Sequence, residues 1–140
     1  MRQLTLEVEP TGLSLSSQQR PAISRGSLTE LILSEGSAVQ PMQLLPLLAQ
    51  CSAQQRWLMW MSPSMPMNKR YLESLGLENS AVIHLDVCAD TQMVLVEKVL
   101  AAANSHIIIE WQGTLHDNQR ECIQQQAWRS GSQVILIQRR

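Results

Sequence analysis

Five short apolar runs, each separated from the next by a segment with helical spacing, constrain what this chain can fold into. The runs are Leu28–Leu33, Arg56–Met61, Ala81–Asp86, His106–Trp111 and Val134–Ile137. Runs this short, bounded by turn residues, read as strands. Helical periodicity fills the gaps: Pro41–Ala53, Met67–Leu75, a stretch from Asp90 or Thr91 to Ala103, and Thr114–Trp128. Gly76 and Gly131 follow two of these segments as helix stops, and Thr114-x-x-Asp117 reads as a capping box. Pro41 suits a first helical turn. Pro46 does not, because its ring meets the Met42 carbonyl, so a kink or a helix start near Leu45 is expected. No hairpin dipeptide joins neighbouring strands. Strands that alternate with helices in this way imply an α/β fold with a mostly parallel five-stranded sheet flanked by helices. Trp57 and Trp60 lie in a central strand, and both are expected in the core.

Composition narrows the class. With 44% hydrophobic residues over 140 positions, the chain can form one packed domain. Residues 1–27, rich in Ser, Gln, Arg and Pro, read as a flexible N-terminal arm, with Leu4, Leu6 and Val8 as a short edge strand; residues 28–140 form the domain. Eleven basic against twelve acidic residues give a net charge of −1, which leaves no nucleic-acid footprint. Cys51, Cys88 and Cys122 are odd in number and far apart, against a disulfide framework. No signal-peptide pattern or membrane-length apolar run is present, so a cytoplasmic protein is expected.

The loop after the first strand is where a nucleotide-binding α/β protein carries G-x-x-x-x-G-K-[ST]. Counting from Gly36, the second glycine position holds Pro41, the lysine position Met42 and the hydroxyl position Gln43. Proline has no N–H to donate and methionine has no charge, so the phosphate cradle is lost. Asp86, Asp90 and Glu110 gather at the carboxyl edge of the sheet, but without the lysine and hydroxyl nothing holds Mg²⁺ and phosphate together. His84, Asp86 and Cys88 share one strand face, yet no fourth ligand completes a zinc site. No catalytic Cys–His pair has suitable spacing. The expectation is a binding protein, not an enzyme, with no cofactor and no metal.

Among the charged residues, Arg56 opens a hydrophobic strand and is expected at the sheet rim, paired with an acid or with a partner. Lys69 and Arg70 project from the polar side of a short helix that carries Tyr71 and Leu72 on its other side.

The central block, QPMQLLPLL followed by QQRWLMWMSP and a helix ending in SLGL, resembles the SulA family of bacterial cell-division inhibitors induced in the SOS response. Leu44, Leu45, Pro46, Leu47, Leu48, Arg56, Trp57, Trp60 and Pro63 carry the resemblance, which extends over Leu28–Arg140. It implies a RecA-like three-layer architecture without a functional P-loop. It also implies binding to FtsZ, the tubulin-like GTPase of the division ring, with loss of polymerisation, of GTPase activity and of septum formation through occlusion of the subunit face. Residues associated with inhibition in the family fall on Arg56, Met61 and Tyr71, with Lys69 and Arg70 beside them as interface candidates. Met61 replaces a leucine, Tyr71 a tryptophan, and Ala81 stands where the family has a lysine. Clearance by Lon protease through a tail beyond the last strand is also implied, and no such tail is evident. A homodimer is left open. The alternative is a RecA-like non-catalytic accessory in DNA repair, binding RecA or a polymerase.

Overall fold

A computed structural model describes residues 25–63, 65–76 and 82–140. The expected arm strand at Leu4–Val8 and the Ala81 position lie outside the described residues. The elements are β1 (Ser27–Leu33), α1 (Pro41–Gln54), β2 (Trp57–Met61), α2 (Met65–Ser74), β3 (Val82–Leu85), α3 (Gln92–Ala102), β4 (Ser105–Glu110), α4 (Asp117–Ser130) and β5 (Gln133–Arg139). The strands form one sheet in the order β1-β5-β4-β2-β3, and every neighbouring pair is parallel. The five strands and four helices expected between residues 28 and 140 are all present, and the sheet is wholly parallel.

Strand order explains the layering. From β1 the chain moves across the sheet to β2 and then β3, and returns through β4 to β5. Right-handed crossovers therefore put α1 and α2 on one face, and α3 and α4 on the other. The core divides accordingly. On the α1/α2 side, Leu58, Trp60, Ile108 and Ile137 pack with Leu44, Leu47, Cys51 and Leu72. On the α3/α4 side, Met61, Ile107, Ile109 and Leu136 pack with Val96, Leu100, Ile123 and Ala127. All six residues of β4 are buried, as befits a central strand covered on both faces.

Local chemistry sets the helix ends. α1 runs unbroken from Pro41 through Pro46, in place of the expected kink or late start, and Pro46 lies exposed. α4 starts later than the Thr114 box predicts. Its N-cap is His116, whose N–H donates to Gln119 Oε1 at 2.9 Å. Leu115, 8% exposed, is drawn into the α3/α4 core, and the Thr114 carbonyl accepts from Trp111 Nε1 at 3.3 Å, so the chain turns there before the helix begins. Gly131 ends α4 at φ 73°, as expected. At the start of β1, Gly26 fits where no side chain can: a Cβ there would meet the Ala127 carbonyl oxygen at 1.8 Å and that of Ser132 at 2.2 Å.

Candidate functional site

In an open parallel sheet, ligands bind beyond the carboxyl ends of the strands, where adjacent strands send their connections to opposite faces. β2 leads to α2 on one face, while its neighbour β4 leads to α4 on the other. The crevice between these strand ends opens into a cleft of about 1100 Å³ whose walls include Gly36, Met67, Arg70, Gln112, Glu110 and Arg140.

The floor of this cleft is a closed polar network. Glu110, 5% exposed at the end of β4, accepts from Ser62 Oγ at 2.9 Å and from Arg139 Nε at 3.2 Å. The same Arg139 guanidinium donates through Nη1 to the carbonyls of Ser34, at 2.9 Å, and Ser37. A phosphate loop aims N–H groups at an anion. Here the corresponding loop aims carbonyl oxygens at a cation, and that cation is the protein's own arginine. The β4–α4 loop is fixed as firmly, because Gln92 Nε2 donates to the Gln112 carbonyl and Gln112 N–H donates to Gln92 Oε1, both at 2.7 Å. Among the described residues β1, which feeds the Gly36 loop, pairs with β5 alone and stands at the edge of the sheet. In doubly wound nucleotide-binding sheets the phosphate-loop strand is internal. The layering is that of the expected α/β fold, whereas the phosphate-site chemistry is reversed.

Two of the sequence-derived candidates stand elsewhere than expected. Met61 is 0% exposed and packs in the α3/α4 core, which corrects its reading as a contact residue: a side chain without surface cannot reach a partner. Arg56 lies at the opposite end of β2 from α2, about 17 Å along the strand from Met61. Among the described residues its guanidinium pairs with no acid. It donates to Ser132 Oγ at 2.9 Å and to the Ser130 carbonyl at 2.8 Å, tying β2 to the α4–β5 turn. Lys69 and Arg70 are exposed on α2, and Tyr71 is half-buried, donating its hydroxyl to the Val39 carbonyl at 2.5 Å. Arg70 and Tyr71 line the cleft at the carboxyl edge, with Lys69 beside them on α2, whereas Arg56 and Met61 do not line it.

Trp57 also departs from expectation. It is 45% exposed, against 2% for Trp60. As the first residue of β2, Trp57 pairs with Ser105 at the amino edge, where the facing residue is small. Trp60 sits mid-strand against His84, with ring centroids 5.8 Å apart.

Sequence reasoning missed a buried network at the amino edge. His106, 0% exposed, accepts from the Gln133 N–H at Nδ1 (2.8 Å), which leaves Nε2 as the protonated nitrogen, 2.7 Å from Gln54 Oε1. Burial, with help from the nearby Arg56 charge, lowers its pKa to about 4. The cysteines stay separate. Burial raises the Cys51 thiol to about 11, while Cys122 is raised by burial and by Glu97. Exposed Cys88 is lowered by hydrogen bonding with Thr91. No group of three His, Cys, Asp or Glu side chains suited to a metal occurs among the described residues. Nor is any helix among them long and apolar enough to cross a membrane.

These features define an open, doubly wound α/β domain whose crevice floor holds a buried ion pair, Arg139 with Glu110. Comparison with known proteins gives the family. The model for "Cell division inhibitor SulA" matches residues 26–134, and the chain belongs to that family. Cell division inhibitor SulA of Yersinia enterocolitica serotype O:8 / biotype 1B is 32% identical over 96 residues, 68% of this chain and 57% of the relative. Its counterpart in Yersinia pseudotuberculosis serotype O:1b is 31% identical over 113 residues, 76% of this chain and 67% of the relative. The chain thus spans between 57% and 67% of these relatives' length. The crystal structure of SulA from Pseudomonas aeruginosa matches with a TM-score of 0.57 at 22% identity, covering 86% of this chain and 100% of that one. At that identity the match speaks for the shared fold.

Proposed function

We propose that this chain inhibits bacterial cell division during the SOS response by binding FtsZ in the cytoplasm and occluding the face through which FtsZ subunits add. Membership of the SulA family over residues 26–134 carries this reading. The crevice supports a binding role over a catalytic one, since Arg139 and Glu110 satisfy each other where a nucleotide would sit. In this reading Lys69, Arg70 and Tyr71 on α2 meet the partner. Arg56 acts through the fold, by holding β2 to the α4–β5 turn, and Met61 packs the core beneath.

Occlusion is stoichiometric. One inhibitor removes one FtsZ subunit from the assembly-competent pool, so pelleted polymer and GTP hydrolysis fall together as the inhibitor approaches the FtsZ concentration. Titration at fixed FtsZ, with sedimentation and phosphate release as readouts, tests this. Normal assembly at a clear molar excess refutes the proposal. Progressive loss of assembly at a large molar deficit would point to a catalyst instead.

A further inference from the structure

We infer that residues 4–9, LTLEVE, pair in cis as an antiparallel strand along the open edge of β1, with Leu4, Leu6 and Val8 closing the core on the α1 side. The inference is independent of the FtsZ reading and concerns the opposite edge of the sheet from β3.

Backbone geometry is the first support. Ser27 N–H donates to the Ser132 carbonyl, and the Leu33 carbonyl accepts from the Arg140 N–H. Backbone groups alternate sides along a strand, so Ser27, Thr29, Leu31 and Leu33 face β5. The N–H and C=O groups of Leu28, Glu30 and Ile32 therefore point outward, along an edge unpaired among the described residues. Natural sheet edges are blunted by lysine, proline, a bulge or short length. β3, at the other edge, is only four residues long. β1 uses none of these devices: its seven residues, SLTELIL, hold an unbroken register with β5. Its one charged residue, Glu30, is turned to Arg120 on α4 at 2.6 Å.

Apolar surface is the second. Leu31 and Leu33 point to the α1 side, where they are only half-buried and pack in one cluster with Leu48. One flank of α1 faces β4, since Gln54 meets His106 there. The other flank carries Leu48 and, three residues earlier, Leu45, which is 45% exposed. The core on this side thus runs out to the β1 edge and stops there half-covered. A strand laid along β1 with an apolar residue at every second position would complete it. Residues 4–9 have that pattern, Leu4, Leu6 and Val8 alternating with Thr5, Glu7 and Glu9. Pro10, Gly12 and Pro21 punctuate the connection that follows. An antiparallel strand ends beside the start of its partner, so this connection joins Glu9 to β1 without crossing the sheet. The chain is tied to the sheet from Arg25 onward, where its carbonyl accepts from Gln133 Nε2 at 3.1 Å. β1 of a second copy would fit the same backbone edge, but residues 4–9 are tethered to it and so present at high effective concentration.

The test is amide hydrogen exchange, read by NMR on the ¹⁵N-labelled full chain at low and at high micromolar concentration. The Leu28, Glu30 and Ile32 amides are expected to be protected equally at both. The triple substitution Leu4→Ser, Leu6→Ser and Val8→Ser is expected to quicken these three by about tenfold or more. Thr29 and Leu31, bonded to β5, should keep the parent's rates. The inference is overturned if the three outward amides exchange alike in parent and variant. It is equally overturned if Thr29 and Leu31 quicken as much as they do, the mark of general destabilisation. Protection that appears only at high concentration, with a doubled mass in analytical ultracentrifugation, would make a second copy the occupant and overturn the pairing in cis.

Discussion

Replacing Arg139 with alanine tests the idea that the floor of the crevice is held by the protein's own ion pair. The substitution strips Glu110, 5% exposed in the intact protein, of its cationic partner. It also removes the donor to the Ser34 and Ser37 carbonyls, which anchors the β1–α1 loop. Removing one side of a buried pair costs about 3–5 kcal/mol, because the remaining charge stays buried and uncompensated. The Arg139 side chain keeps 21% of its surface, so water can enter the vacated space. The lower end applies: about 3 kcal/mol. With a urea dependence of about 2 kcal/mol per molar, the midpoint should fall by about 1.5 M. Amide exchange at residues 34–38 should quicken in the same variant, since the loop loses its anchor. Pairing Arg139→Met with Glu110→Gln removes both charges and should recover part of the loss. A single-variant midpoint shift under about 0.5 M, or a double variant no better than the single, refutes the reasoning.

Three further outcomes follow from the burial pattern. Trp60→Ala should cost about 3–5 kcal/mol in denaturant unfolding, whereas Trp57→Ala, at a half-exposed strand start, should cost less than about 1.5 kcal/mol. Arg56→Ala removes two hydrogen bonds to the α4–β5 turn and should cost about 1–3 kcal/mol while leaving the folded protein's affinity for FtsZ unchanged; a stable variant with lost affinity would return Arg56 to the interface. Stability should fall as pH drops from about 6.5 to about 4, because the unfolded His106 takes up a proton in that window and the folded one does not; the gap corresponds to about 3 kcal/mol, and His106→Gln should flatten that part of a pH series of urea midpoints.

How much of this was legible in the chain depends on the range of the interaction involved. Periodicity located every strand and helix, and the lack of hairpin dipeptides pointed to the parallel sheet, because both signals lie within a few neighbouring residues. Strand order did not show, since nothing local to β1 says that it pairs with β5 at the edge. Trp57 and Trp60 read alike as sequence. They differ because Trp57 faces Ser105 at the sheet's end whereas Trp60 lies under two helices. The Arg56 partners are 74 and 76 residues away, and one is a backbone carbonyl, which carries no side-chain signature. Pro41, Met42 and Gln43 did announce the lost phosphate cradle. What replaced it was hidden, because Glu110 and Arg139 meet only once β4 and β5 are paired.

The reversal of the crevice bears on the proposed inhibitory role. A functional phosphate site must leave its loop unsatisfied until the ligand arrives, with N–H groups turned inward and a lysine held free. In this chain the inward groups are carbonyls, their donor is permanent, and Glu110 balances it, so the carboxyl edge is complete without a ligand. At the rim, Arg70 and Arg140 are exposed and make no ion pair among the described residues. A satisfied floor fixes the β1–α1 loop, and through the Val39 carbonyl it gives the Tyr71 hydroxyl an anchored acceptor. α2 is thereby held against the same framework that Arg139 anchors. Rigid positioning of this kind lowers the ordering cost of binding, which suits the proposed role of covering a partner's surface.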